Sequence, residues 1–217
     1  MVKHRLVEIY DRLFAFFGPQ HWWPGETPFE VMVGAVLTQN TAWTNVEKAM
    51  VNLKEAGVLC FEAMATLPHA DLADLIRPCG YFNVKATRLH NLLAMIHNRY
   101  DGDLDLFAQE ELPALRQSLL DVKGIGPETA DSILLYAANK PIFVIDAYTH
   151  RLLCRHGLAA EEGADYHEMQ ELFMAALPNM PALFNEYHAL IVCTGKEFCK
   201  KSKPRCTECP LSEMLDV

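Results

Sequence analysis

Apolar residues recur along this chain at helical spacing, and they almost nowhere alternate as they would in a strand. From Val2 to Phe17 the pattern puts Leu6, Ile9, Leu13 and Phe17 on one helical face. Thr27-Pro28-Phe29-Glu30 is a capping box with proline at the first helical position, launching a helix to about Leu37. Thr44-Asn45-Val46-Glu47 repeats the box and leads a helix toward Ala56. Further starts fall at His69 to Asp71, at Asn83 before a run from Val84 to His97, at Leu112-Pro113 before a helix to Leu120, at Pro127 and at Pro181. Gly57, Gly80, Gly102, Gly157 and Pro178 supply stops. Pro141-Ile142-Phe143-Val144-Ile145 is the one strand-like run, and it reads as an extended connector. The pattern predicts an all-α protein of about ten helices joined by short loops, with no low-complexity linker and no internal repeat.

With 217 residues, 51% of them apolar, the chain can bury a large core as one domain or two small ones. No apolar run approaches the length that spans a bilayer, and Glu8 and Asp11 break up the stretch after the basic start Lys3-His4-Arg5, so a cytoplasmic protein is expected. The net charge of −9 counts against nucleic acid as a partner, since affinity for DNA rests largely on neutralised phosphates. The charges are clustered, however. Lys196, Lys200, Lys201, Lys203 and Arg205 form a basic run, while Glu161, Glu162, Asp165, Glu168 and Glu171 form an acidic block that can face away from DNA. The cysteines number seven, and those gathered near the C-terminus argue for metal ligation over disulfides in a cytosolic chain. Cys60, Cys79 and Cys154 sit in apolar settings and are expected in the core.

The most specific stretch is Leu120-Asp121-Val122-Lys123-Gly124-Ile125-Gly126-Pro127-Glu128-Thr129-Ala130, followed by Asp146 in Val144-Ile145-Asp146-Ala147-Tyr148-Thr149. Gly124 and Gly126 suit a tight turn, Val122 and Ile125 can anchor it to the core, and Pro127 starts a helix. A glycine hairpin that opens into a helix presents backbone N–H groups where a phosphate can sit. Taken singly, the hairpin could be an ordinary interhelical turn and Asp146 an ordinary N-cap.

Taken together, they resemble the helix-hairpin-helix and following aspartate of the endonuclease III superfamily of DNA glycosylases. That resemblance implies two helical domains flanking a cleft: a barrel of helices over residues 24–136, and a second domain made of residues 1–23 and 137–217, with the hairpin and Asp146 at the cleft mouth. It implies a monomer acting on double-stranded DNA that contains damaged bases, by base flipping. Asp146 would stabilise the cationic sugar as the glycosidic bond breaks, or activate water. Gln39, in Leu37-Thr38-Gln39-Asn40-Thr41, falls where the superfamily fills the gap left by the flipped base; in isolation it is a polar residue in a turn. Tyr81, in Gly80-Tyr81-Phe82-Asn83-Val84-Lys85-Ala86, matches a residue that wedges beside the orphaned base; otherwise it is a loop aromatic. Gly124, Ile125, Gly126 and Thr129 would contact the DNA backbone.

Glu128 departs from the pattern of relatives that also cut the strand, which carry a lysine there to form a Schiff base. The resemblance with Glu128 in place therefore implies base release with water, Glu128 being otherwise a first-turn glutamate favoured by the helix dipole. Trp22-Trp23-Pro24, followed by Leu37-Thr38-Gln39-Asn40-Thr41-Ala42-Trp43, is similar to the endonuclease III-like 3-methyladenine DNA glycosylases. In that subgroup stacked aromatics receive an alkylated purine, and a cation over an indole face gains roughly 0.5–2 kcal/mol. Lys196 falls where the subgroup brings a lysine near the pocket, and it can equally contact phosphate. Composition alone would place the tryptophans in the core.

Cys199, Cys206 and Cys209 read C-x6-C-x2-C, similar to the endonuclease III iron–sulfur motif, but Leu215 stands where that motif has its fourth cysteine. Four thiolates normally hold a [4Fe–4S] cluster. Three readings are open: Cys193 supplies the fourth thiolate, the cluster has another ligand or is incomplete, or it has been lost; the first is the working assignment. The activity implied is that of a monofunctional glycosylase on alkylated purines. The alternatives are an endonuclease III-like glycosylase and lyase on oxidised pyrimidines, against which Glu128 speaks, and a non-catalytic DNA-binding or redox-sensing protein, against which Asp146 speaks.

Overall fold

The computed structural model describes residues 2–22 and 25–215, and among these it contains helices, turns and connectors but no strand. In chain order the α-helices are α1 (Val2–Phe17), α2 (Pro28–Leu37), α3 (Trp43–Glu55), α4 (Phe61–Thr66), α5 (His69–Leu75), α6 (Phe82–Tyr100), α7 (Leu104–Gln109), α8 (Leu112–Leu120), α9 (Pro127–Ser132), α10 (Ala147–Arg155), α11 (Tyr166–Ala176) and α12 (Pro181–Glu197). No described helix is long and apolar enough to cross a membrane. The chain divides into two compact units, one of Met1–Trp22 with Pro141–Val217 and the other of Trp23–Lys140.

In the first unit α1 lays Leu6, Ile9 and Leu13, all fully buried, against α11 and α12, while α10 packs on α12. Phe143 stacks on Phe173 with centroids 3.8 Å apart, and Tyr187 meets both rings edge-on. The Tyr187 hydroxyl donates to Leu6 O at 2.7 Å, and its burial pushes the phenol pKa well up. The segment 141–145 is extended and pairs with no strand. Its backbone is met by side chains instead: Gln170 Nε2 donates to Phe143 O at 2.6 Å, and Ile145 N donates to the Tyr166 hydroxyl at 3.4 Å.

In the second unit α2 is buried from Phe29 to Leu37 and packs on α3, α6 and α9. Thr27 caps it, its hydroxyl accepting from Glu30 N at 3.2 Å, while the Glu30 carboxylate reaches back to Glu26 N at 3.1 Å. Two expected starts move. The helix near Thr44 begins at Trp43 with Ala42 as an N-cap that makes no side-chain bond, so the Thr44 box is not used. That near Asn83 begins at Phe82, because Tyr81 takes a left-handed conformation with φ 46° and turns the chain there. The helix from Pro127 ends as α at Ser132 and widens into a π turn over Ile133–Ala137, which buries the consecutive Ile133, Leu134 and Leu135.

Two buried charges tie this unit together. Lys85 on α6 is 1% exposed. Asp131 on α9 is fully buried and receives Arg116 of α8 through two bonds, Nε to Oδ1 at 2.7 Å and Nη2 to Oδ2 at 3.1 Å. Replacing Arg116 with Met would leave the Asp131 carboxylate buried without its guanidinium. Urea titration is expected to show a loss of about 3–5 kcal/mol, and a loss below about 1 kcal/mol would contradict this brace.

Candidate functional site

The stretch between α8 and α9 folds as a helix-hairpin-helix. Val122 N donates to Leu119 O at 3.1 Å and Ile125 N to Val122 O at 3.0 Å, closing the turn. Val122 and Ile125 are buried, anchoring it as their apolar character implied. Gly124 has φ +99°, and a Cβ there would lie 2.5 Å from Cγ of Arg88. Gly126 is different: it is extended at φ −95°, ψ 178°, and nothing lies within 4 Å of a Cβ added there. The turn therefore needs one glycine where the sequence suggested two. The Ile125 N–H, engaged within the turn, is not among the donors the hairpin presents outward.

Side chains from elsewhere in the unit grip this hairpin. Gln39, in the turn after α2, donates from Nε2 to Gly124 O at 3.1 Å and to Thr129 Oγ1 at 2.8 Å, and its Oε1 accepts from Arg88. Asn91 Nδ2 donates to Lys123 O at 3.0 Å. Arg88 and Asn91 were not singled out from the sequence. The available signal was the spacing of Lys85, Arg88 and Asn91 three residues apart, which puts three polar groups on one helix face. Thr129 is buried and Glu128 exposed in the first turn of α9. Tyr81 is 76% exposed despite its aromatic ring.

In the other unit Asp146 is the N-cap of α10. Its Oδ1 accepts from Thr149 N at 2.7 Å and from Thr149 Oγ1 at 2.9 Å, and Oδ2 lies 3.6 Å from Nε2 of the buried His188 of α12. Burial pushes the Asp146 pKa up, but the His188 ring and the Thr149 donors outweigh it, and the carboxyl is held below its ordinary range. His188 was missed because a lone histidine in the apolar run Tyr187-His188-Ala189-Leu190 reads as core.

Of the aromatic candidates, Trp23 and Pro24 lie outside the described residues. Trp22 is half-buried, with the Lys196 ammonium 5.2 Å from its ring centroid. Trp43 is half-buried at the start of α3.

Cys199, Cys206 and Cys209 line one cavity with Arg155, His156 and Leu215. Arg155 Nη1 donates to Cys199 Sγ at 3.1 Å. Burial pushes the Cys209 thiol up, against the Leu211 N–H, and the neighbouring Cys199 and Cys206 add to the rise. Cys193 is not among the residues lining this cavity; its thiol donates to Gln20 Oε1 at 3.0 Å. Among the described residues no group of three or more His, Cys, Asp or Glu is arranged to hold a metal ion. Of the four thiolates that normally hold a [4Fe–4S] cluster, three of the residues that would supply them line this cavity, and Leu215, at the motif's fourth position, lines it as well.

Helix-hairpin-helix, following aspartate and all-helical architecture define a class of DNA-repair enzyme. The chain belongs to the HhH-GPD superfamily of base excision DNA repair proteins, whose pattern matches residues 33–179. It is 45% identical over 210 residues, covering 96% of this chain and 94% of the relative, to a Methanocaldococcus jannaschii protein provisionally named a DNA repair glycosylase. It is 30% identical to the endonuclease III of Thermotoga maritima, over 84% of this chain and 79% of that one. Among solved structures it is similar to an H. pylori 3-methyladenine DNA glycosylase bound to 1,N6-ethenoadenine, with 34% identity, a TM-score of 0.78 and coverage of 88% of this chain and 97% of that one. An endonuclease III solved with DNA shares the fold at TM-score 0.83 and 23% identity, over 99% of this chain and 95% of that one. The protein is a base-excision DNA glycosylase of this family.

Two measurements test this geometry. Gly124→Ala forces a positive φ on a side chain that also meets Arg88, and should cost about 1–3 kcal/mol in urea titration, whereas Gly126→Ala should stay within about 0.5 kcal/mol of wild type. Equal losses in both would show that the two glycines are not distinguished by the fold. For Asp146, a folded pKa below the unfolded value of about 3.9 means that ionisation stabilises the fold above that pH. The stability gap between wild type and Asp146→Asn should be full above about pH 4 and shrink as pH falls through the depressed folded pKa. A gap that is constant with pH would refute the depressed value.

Proposed function

We propose that this protein is a monofunctional DNA N-glycosylase acting on alkylated purines such as 3-methyladenine. The observation that carries the proposal is Asp146, an ionised carboxylate held with little contact to water at the start of a helix. When the glycosidic bond breaks, its electron pair leaves with the base and the sugar becomes cationic. A fixed negative charge is worth most against that developing charge. An N3-alkylated purine, cationic at the outset, departs as a neutral molecule with that pair, and water adds to the sugar carbon and passes its proton to the Asp146 carboxylate, which returns it to solvent. Little general-acid help is needed.

Further features support the same reading. Glu128 stands where strand-cutting relatives place their lysine, and a carboxylate cannot form a Schiff base. The indole of Trp22 already carries an ammonium against its face, which is the interaction a cationic purine would make. Trp23, Pro24, Trp43 and Lys196 are assigned with it to substrate binding, in line with the similarity to the 3-methyladenine glycosylase. Gln39 and Tyr81 are assigned to the opened stack, and Gly124, Ile125, Gly126 and Thr129 to the DNA backbone. The three-cysteine cavity is given no step in the reaction.

The test is base release from randomly methylated duplex DNA, with the freed bases identified by chromatography. Wild type should release 3-methyladenine, and Asp146→Asn should be slower by at least about 100-fold while still binding the DNA. Borohydride should not trap protein on the strand. Release of oxidised pyrimidines with covalent trapping, and none of methylated purines, would replace this assignment.

A further inference from the structure

Oxygens from two separate loops converge on one buried ammonium. Lys85 Nζ donates to Leu37 O at 2.9 Å, to Cys79 O at 2.9 Å and to Thr41 Oγ1, and the Thr41 hydroxyl itself donates to Cys79 O at 2.6 Å. An ammonium has three N–H bonds, and all are used. Leu37 ends α2, just before Gln39, and Cys79 lies just before Tyr81. One turn further along α6, Arg88 holds the Gln39 carboxamide and packs over Gly124. The helix thus meets the Gln39 loop, the Tyr81 loop and the hairpin from a single face.

Burying an ammonium is costly, and an apolar side chain of the same length would avoid that cost but leave the Leu37 carbonyl without this donor and the two loops without their shared partner. What an apolar filler lacks is direction. Three hydrogen bonds fix two loops at one separation, and they do so beneath an exposed tyrosine held at φ 46°, a conformation that persists only where its surroundings enforce it. Desolvation, the largest effect on it, and the nearby Arg88 charge lower the Lys85 pKa, the electrostatic cost of placing the amine there.

We propose that Lys85 is a positioning residue for base eversion: it ties the Gln39 loop to the Tyr81 loop, so that both side chains enter the DNA at one fixed spacing. This rests on the reading of Gln39 and Tyr81 as the side chains that enter the stack. Lys85 itself touches no DNA. Its effect is felt only where a duplex stack has to be held open, so it should alter the chemical step and the state of the orphaned base more than affinity.

The experiment uses the full-length protein and a duplex carrying 2-aminopurine opposite a tetrahydrofuran abasic-site analogue, which needs no particular damaged base. Emission at saturating protein reports the stacking of the orphaned base. Gln39→Ala and Tyr81→Ala should each change that amplitude; if neither does, the stack-entering reading falls and the proposal with it. With those controls in place, Lys85→Met and Thr41→Val should shift the amplitude toward that of the alanine variants. On methylated duplex they should lower kcat by up to about 100-fold with KM little changed, as misplacement of reacting groups does. Thr41→Val is near-isosteric and removes one acceptor of the ammonium together with the direct Thr41–Cys79 bond of the same tie, without unburying the lysine, so it tests the tie between the loops even if Lys85→Met does not fold. Wild-type amplitude and kcat in folded Thr41→Val, with the controls responding, would overturn the role of Lys85 and leave the proposed function standing.

Discussion

Charge taken out of water must be met by partners on every side, and in this chain that requirement determines where helices and loops are joined. Lys85 draws together the end of α2 and the turn before α6. Asp131 and Arg116 lock the two helices of the hairpin to each other. Asp146 opens α10 with its own carboxylate and brings it up against His188. In each case the charged group closes a joint between separate segments, and the Arg116–Asp131 joint lies within the helix-hairpin-helix. Apolar burial supplies most of the energy of folding, and these groups fix which segments meet at each joint.

The hairpin shows how two requirements can share one motif. The turn itself asks for a positive φ at Gly124, apolar anchors at Val122 and Ile125, and a grip from Gln39, Arg88 and Asn91. Nothing inside the unit asks for Gly126, which is extended and faces open space. A residue that the fold leaves unconstrained within a motif this well built is most simply explained by something that approaches from outside.

Much of this architecture was legible in the sequence. The helical spacing on α1, the Thr27 box, and the proline starts of α9 and α12 are local signals, and the structure agrees with them. Thr44 carried the same local signal and was not used, because the chain had already entered α3, with Asn45 N donating to Ala42 O. The π turn after α9 and the left-handed Tyr81 answer to packing and chain direction, which residue type does not encode. Lys85 and His188 were illegible for a related reason: a lysine among the many polar residues of α6, or a histidine in the apolar run of α12, gains its meaning from what the fold places opposite it. Gln39, Tyr81 and Asp146 stood out through family resemblance, since none is unusual for its residue type in a turn or at a helix start.

The crowding of Arg88 against Gly124 has a consequence for how this sequence can diverge. A side chain at position 124 needs the room that Arg88 fills, and shortening Arg88 lets go of the Gln39 carboxamide. A lineage that lost the glycine would have to trim the arginine and find a new hold for the glutamine, three changes of which the first two are harmful singly. Positions 39, 88 and 124 should therefore be inherited as a set, whereas position 126 is bound to no other position in the chain and is free to vary as far as folding is concerned.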